Sequence, residues 1–194
     1  METMIEQQDA WLIRLNSPPP VSDPWFAGWD ATGAALSGGY TVHHALGNRQ
    51  LYTRWYGQAL YEQSSDGPYA STYWSTVNEL GGVGAGASGS ALVDASGHVF
   101  GPLSLGLVQP GSDGVGICPV NPPSAPALST VVARFIALSG IFESTADSSS
   151  STNPRTLRQV LDPAGTGSRR LDGQGTAMRV EFTAQTSSAT TGTP

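Results

Sequence analysis

Charge is scarce in this chain: only 12% of its 194 residues are Asp, Glu, Lys or Arg. The little there is leans acidic, 15 against 9, for a formal net charge of −6. A surface of that sign does not neutralise phosphates, which argues against nucleic acid and anionic membrane as partners. Long hydrophobic runs are missing too. No window approaches the roughly 20 apolar residues that a membrane-spanning helix requires. Met1 to Glu6 has neither a basic nor an apolar segment, so no secretory signal is read there. Cysteine occurs once, at Cys118, which excludes an intrachain disulfide. No metal site and no cofactor is read from the sequence.

What is abundant is glycine and proline. The chain holds 24 of the first and 14 of the second. With 39% hydrophobic residues to build a core, that content suits many short strands and tight turns. The strand candidates follow one another up to Leu107. Asp9 precedes Ala10 to Asn16, which reads as a strand with Trp11, Ile13 and Leu15 on one face. Ser17-Pro18-Pro19-Pro20 ends it, since proline cannot donate to a ladder. Pro24 to Asp30 is aromatic and extended, with Asp30-Ala31-Thr32-Gly33 as a turn. Tyr40 to Leu46, Gln50 to Tyr56 and Tyr69 to Val77 are further strands. No convincing helical period occurs before Leu107, so the first half is all-β.

The central stretch is Gly86-Ala87-Ser88-Gly89-Ser90. A serine stands between glycines, followed by the apolar run Ala91-Leu92-Val93, the turn Asp94-Ala95-Ser96-Gly97 and a long run, His98 to Leu107. That is a strand–turn–strand signal. Glycines allow a tight turn and a close substrate. The amides of Gly86 and Ser88 could stabilise an oxyanion while Ser88 acts as a nucleophile. An ordinary Gly/Ser loop is the alternative reading of the same residues.

Beyond Leu107 the pattern loosens. Gln109 to Pro126 is a loop carrying Cys118, and Leu128 to Leu138 reads as a strand because Thr130, Val131 and Val132 are β-branched. Asn153 to Leu161 reads as a short helix capped by Asn153, with Pro154 at its first position and an apolar stripe of Leu157, Val160 and Leu161. From Gln174 the chain is small and polar, a tail or linker.

Several of these stretches, in this order, resemble the trypsin-like serine proteases, most closely the bacterial lysyl endopeptidase group. Asp9 to Leu15 resembles the segment that begins with the triad aspartate. Phe26-Ala27-Gly28-Trp29-Asp30 and Val42-His43-His44 match two further segments, with Ala45 where the family has proline. Gly86 to Ser90 resembles the nucleophile loop. Leu157 to Gly173, including Leu161-Asp162-Pro163-Ala164-Gly165-Thr166-Gly167, resembles the closing helix and tail. The resemblance runs from about Asp9 to Gly173. It implies an all-β fold: a chymotrypsin-like antiparallel barrel, the second of two, with a short C-terminal helix. Residues 1–173 would form this protease part and 174–194 the tail.

The resemblance also implies roles. Ser88 is the nucleophile, Gly86 and Ser88 supply the oxyanion amides, and Asp9 orients a histidine. Ser104, Leu105 and Gly106 resemble the strand that pairs with an extended peptide, which needs an open edge; an ordinary core strand is the competing reading. Ala87 replaces the acidic residue that pairs with a new N-terminus in trypsin, so activation by that route is not expected. Secretion, and a peptide or protein substrate, follow from the family. So does a disulfide partner for Cys118 near the mature N-terminus, in the part absent from this chain.

One part is missing. The family's histidine lies upstream of the aspartate, whereas His43, His44 and His98 all lie downstream of Asp9. The order Asp9, His43 or His44, Ser88 is that of subtilisins, but their serine begins a helix and Ser88 does not. His43 and His44 are read as one packed and one solvated residue, and His98 as a surface residue at a hairpin edge. The expectation is a serine endopeptidase whose first barrel, a partner absent from this chain, carries the base. A non-catalytic, protease-like barrel used for binding is the alternative. No acidic residue lies between Cys118 and Arg134, and Gly82 stands six before Ser88, where trypsin is acidic. Lys and Arg are therefore expected to be poor substrate residues.

Overall fold

The computed structural model describes residues 3–5, 9–13, 16–17, 19–47, 49–64, 71–77, 80–107, 132–144 and 155–175. Eleven strands and two short α-helices are found there, in the order β1 (Thr3–Ile5), β2 (Ala10–Leu12), β3 (Gly28–Asp30), β4 (Ser37–His43), β5 (Leu51–Gln58), β6 (Leu60–Ser64), β7 (Ser71–Val77), β8 (Ala91–Val93), β9 (His98–Leu107), β10 (Val132–Ile136), α1 (Leu138–Ile141), α2 (Leu157–Leu161) and β11 (Arg170–Leu171), with one 3-10 turn at Ala45–Gly47. β1 and β2 form a separate ribbon. The main sheet runs β5-β4-β8-β9-β10-β7-β6, and every pairing along it is antiparallel. Its two end strands, β5 and β6, are separated in the chain only by Ala59. A sheet whose opposite ends are joined by one residue has to curl back on itself. This is a chymotrypsin-like C-terminal barrel, as the resemblance implied.

Both faces of the sheet are covered. On β7, consecutive residues alternate between two cores. Trp74 joins Trp55, Leu92, Phe100, Leu103 and Phe135, while Tyr73 joins Ala10, Trp29, Ile136, Ile141 and Phe142. The Trp74 and Phe100 rings meet edge to face at 6.0 Å. Leu12 and Leu105 pack against the second core. That docking of β2 sets Asp9 over the middle of β9.

Several local expectations need correction. On β2 it is Ala10 and Leu12 that face the core, and Ile13 is 63% exposed. Ile13 thus lies on the face turned away from the core, as alternation with Ala10 and Leu12 requires; the side chains of Trp11 and Leu15, read as sharing its face, lie outside the described residues. α2 is capped by Thr156, not Asn153: Gln159 N donates to Thr156 Oγ1 and Thr156 N donates to Gln159 Oε1. This capping box satisfies two amides that the helix itself leaves without partners. The next loop is held by Asp162, whose carboxylate accepts from Thr166 N, Thr166 Oγ1 and Gly167 N. The cysteine loop, with Cys118, and the stretch from 176 onward lie outside the described residues. Gln174, read as the start of the tail, is still bridged to Phe26.

His43 and His44 divide as expected: the first is buried and the second exposed. His43 Nδ1 accepts from Ala45 N at 3.3 Å, which puts its proton on Nε2. Nε2 then donates to Thr53 Oγ1 at 3.0 Å, and Thr53 passes its own hydrogen to Gly82 O. Burial, with a smaller push from His44, lowers the His43 pKa below its ordinary 6.5 and outweighs the hydrogen bond that opposes it. The unfolded chain therefore takes up a proton before the folded one does, and stability falls as pH drops below about 6.5. Urea midpoints are expected to be lower at pH 5 than at pH 7.5, with a smaller difference in His43→Gln.

Candidate active site

The loop before β8 is two successive tight turns. Ala87 N donates to Gly84 O at 2.9 Å and Ser90 N to Ala87 O at 3.1 Å. Gly86 and Gly89 hold the third position of these turns with φ of 86° and 81°. Type II turns require a positive φ there, which is why both positions are glycine. Around Gly89 a side chain would meet nothing within 4 Å, so conformation, not space, selects it. Ala87 is buried in the core and pins the loop, whereas Ser88 is exposed. Among the described residues, the N–H groups of Gly86 and Ser88 have no hydrogen-bond acceptor.

The loop is stitched to β9. Gly89 N donates to Leu103 O and Leu103 N to Ser90 O, each at 2.8 Å. The residue after Ser88 is thus bonded to the residue before Ser104-Leu105-Gly106. That stretch pairs on one side with β10, through Leu105↔Arg134 and Gly106↔Ala133. On the other side, β8 stops at Ala91↔Pro102. Its second edge therefore has no strand partner among the described residues, as β-augmentation requires.

At Ser104 the ladder slips: Arg134 faces Leu105, but Phe135 faces Leu103. The extra residue on β9 is Ser104, and a bulge of this kind re-aims a side chain. Its hydroxyl donates to Asp9 Oδ2 at 2.6 Å, joining residues 95 positions apart. Asp9 is half-buried and has φ 52°, the described non-glycine residue in the left-handed region. Tyr73 is wholly buried on β7, and burial raises its phenol above the ordinary range. Sequence reading gave Ser104 a substrate role only and did not single out Tyr73.

His98 overturns its expectation. It is 3% exposed, not on the surface. The absence of a Cβ at Gly28 makes room for it, since a Cβ there would lie 2.8 Å from His98 Cδ2. Its Nδ1 lies 3.3 Å from Asp94 Oδ2 and its Nε2 2.9 Å from Asp172 Oδ1, with Arg170 close by. That bond to His98 is the main reason the Asp172 pKa is lowered. The ring nitrogens of His43 and His98 are thus engaged away from Ser88 and Asp9. A groove of about 1040 Å³ lined by Trp25, Tyr40, Tyr52, His98 and Asp172 contains neither Ser88 nor Asp9. Among the described residues, no three His, Cys, Asp or Glu side chains are grouped to hold a metal ion. No described helix is long and apolar enough to cross a membrane.

Comparison with known proteins adds one match. A family model for the C-terminal domain of lysyl endopeptidase covers residues 2–114, a span that takes in Asp9, Ser88 and Ser104 to Gly106. A search of curated proteins finds no significant match.

Proposed function

The chain belongs to the lysyl endopeptidase family, through that family's C-terminal domain, and from this premise we propose that it is the serine-bearing part of a serine endopeptidase. Ser88 Oγ attacks the scissile carbonyl carbon. The carbonyl oxygen, now an oxyanion, is received by the amides of Gly86 and Ser88. A histidine, oriented by Asp9, takes the serine proton and returns it to the leaving amine as the C–N bond breaks. Water then releases the acyl group from Ser88. The substrate, a peptide or protein, lies along Ser104 to Gly106. The histidine is borne on the first barrel, a separate segment that docks beside Asp9, and the assembled enzyme acts as a secreted protein.

One observation carries this reading: the hydrogen bond from Ser104 Oγ to Asp9 Oδ2. It joins the candidate orienting carboxylate to the strand that would hold substrate, and that strand is bonded to the Ser88 loop.

A peptide boronic acid tests it, because boron adds to a serine oxygen and mimics the tetrahedral intermediate. With imidazole added to take the Ser88 proton, an analogue ending in a small apolar residue is expected to bind at least 100-fold more tightly to the chain than to Ser88→Ala. Equal binding would overturn the enzymatic reading in favour of a protease-like barrel used for binding.

A further inference from the structure

The Ala87–Ser88 peptide unit links the two tight turns before β8. It is planar and trans, so its carbonyl and its N–H point in opposite directions. Whatever fixes Ala87 O therefore fixes the direction of the Ser88 N–H, the candidate oxyanion donor. The Ala87 side chain cannot do this alone. It is a buried methyl group, which sets the position of the residue but leaves the peptide plane free to turn. Two donors close on Ala87 O instead, and both belong to Ser90. The Ser90 amide donates to it at 3.1 Å and the Ser90 hydroxyl at 2.7 Å. A carbonyl oxygen can only accept, so the hydroxyl is the donor in that bond.

The turn itself needs only the amide bond from its fourth residue. The hydroxyl adds a second bond to an oxygen that already has one, and it is the shorter of the two. Hydrogen bonds received by a carbonyl polarise the whole peptide unit, which makes its N–H a stronger donor. Ser90 is held in place in turn: its carbonyl accepts from Leu103 N at 2.8 Å. The clamp on Ala87 O thus stands on β9, one residue before Ser104.

We propose that Ser90 is a positioning residue for the oxyanion site: its hydroxyl, together with its amide, holds Ala87 O and so aims and strengthens the Ser88 N–H. This rests on the reading of Ser88 as the nucleophile whose own amide receives the oxyanion. Ser90 acts through the Ala87–Ser88 peptide unit and not on the substrate. A serine that only closed the turn would serve equally well as alanine.

The test has two readouts on the full chain, labelled with 13C and 15N. In Ser90→Ala the Ala87 carbonyl carbon and the Ser88 amide nitrogen are expected to move upfield, since both report the bonds that this carbonyl accepts. Acylation of Ser88 by 4-nitrophenyl acetate with added imidazole is expected to be about 5- to 20-fold slower, less than the roughly 10²–10³ that removing an oxyanion donor costs, because the donor stays and is only loosened. Ser90→Thr, which keeps a hydroxyl, is expected to restore most of both the shifts and the rate. Resonances unmoved in Ser90→Ala overturn the proposal, and so do moved resonances with an unchanged rate. A loss of rate that Ser90→Thr does not restore overturns it too, with the enzymatic reading left standing. A chain with the original Ser90 that is never acylated on Ser88 overturns the enzymatic reading, and the proposal with it.

Discussion

Assayed alone against a mixed peptide library, the chain is expected to show no turnover that Ser88→Ala removes. A serine hydroxyl is a weak nucleophile until a base takes its proton. His43 is buried, with its lone-pair nitrogen facing Ala45 N and its proton given to Thr53. His98 is held between Asp94 and Asp172. Neither is placed to serve Ser88. Losing one member of a catalytic triad costs up to about 10⁶-fold in rate, and oxyanion stabilisation recovers only a small residue of it. Peptide turnover sensitive to Ser88→Ala would mean that a base is present in this chain, and would return His44 to consideration.

Gly101→Ala is expected to unfold the protein. A Cβ at Gly101 would stand 1.7 Å from the carbonyl oxygen of Ile136 and 2.8 Å from its carbon. Both atoms are backbone, so no side-chain rotation relieves the clash. β9 and β10 would have to separate, and the two cores they divide would open together. Gly101 also has φ 155°, at the edge of the region that only glycine enters easily. A loss of about 4 kcal/mol or more is expected, a large share of the stability of a domain this size. Gly57→Ala is the comparison: φ there is 82°, but nothing lies within 4 Å. Its cost is the conformational one alone, about 1–2 kcal/mol. Urea unfolding of the two variants measures the difference, and similar midpoints would refute the argument from steric contact.

The hairpin of β8 and β9 was legible to the residue, because every cue in it is local. Asp94 Oδ1 accepts from Ser96 N and His98 N, so the Asp-Ala-Ser-Gly turn holds itself together. β10 (Val132–Ile136) falls inside the strand read over Leu128 to Leu138, of which residues 128–131 lie outside the described residues. β6 was not legible, because only Ala59 divides it from β5 and Gly57 is the single turn residue near the break. α1 was missed for a related reason. Its four residues follow β10 directly and have no side-chain cap, and what holds them is burial of Leu138 and Ile141. Which face of β2 meets the core was not legible, because alternation fixes which residues share a side, not which side is buried. His98 shows the same limit, since its burial depends on Gly28 and on the segment carrying Asp172, 74 positions away.

At the site, the turn glycines were readable from chemistry alone, and positive φ at Gly86 and Gly89 agrees with them. The meeting of Ser104 with Asp9 was not readable. It depends on a register slip between β9 and β10, and a slip leaves no mark in the sequence of either strand.

The central claim is that Ser88 is a nucleophile lacking only its base. The measurement that tests it most directly is acylation of the chain by an activated aryl ester, followed by intact mass and peptide mapping, with and without added imidazole. Imidazole can take the Ser88 proton as the aryloxide leaves, so the account predicts one acyl group, located on Ser88, formed at least tenfold faster with imidazole and absent in Ser88→Ala. An acyl group found elsewhere, or a Ser88 that imidazole does not make reactive, would contradict it.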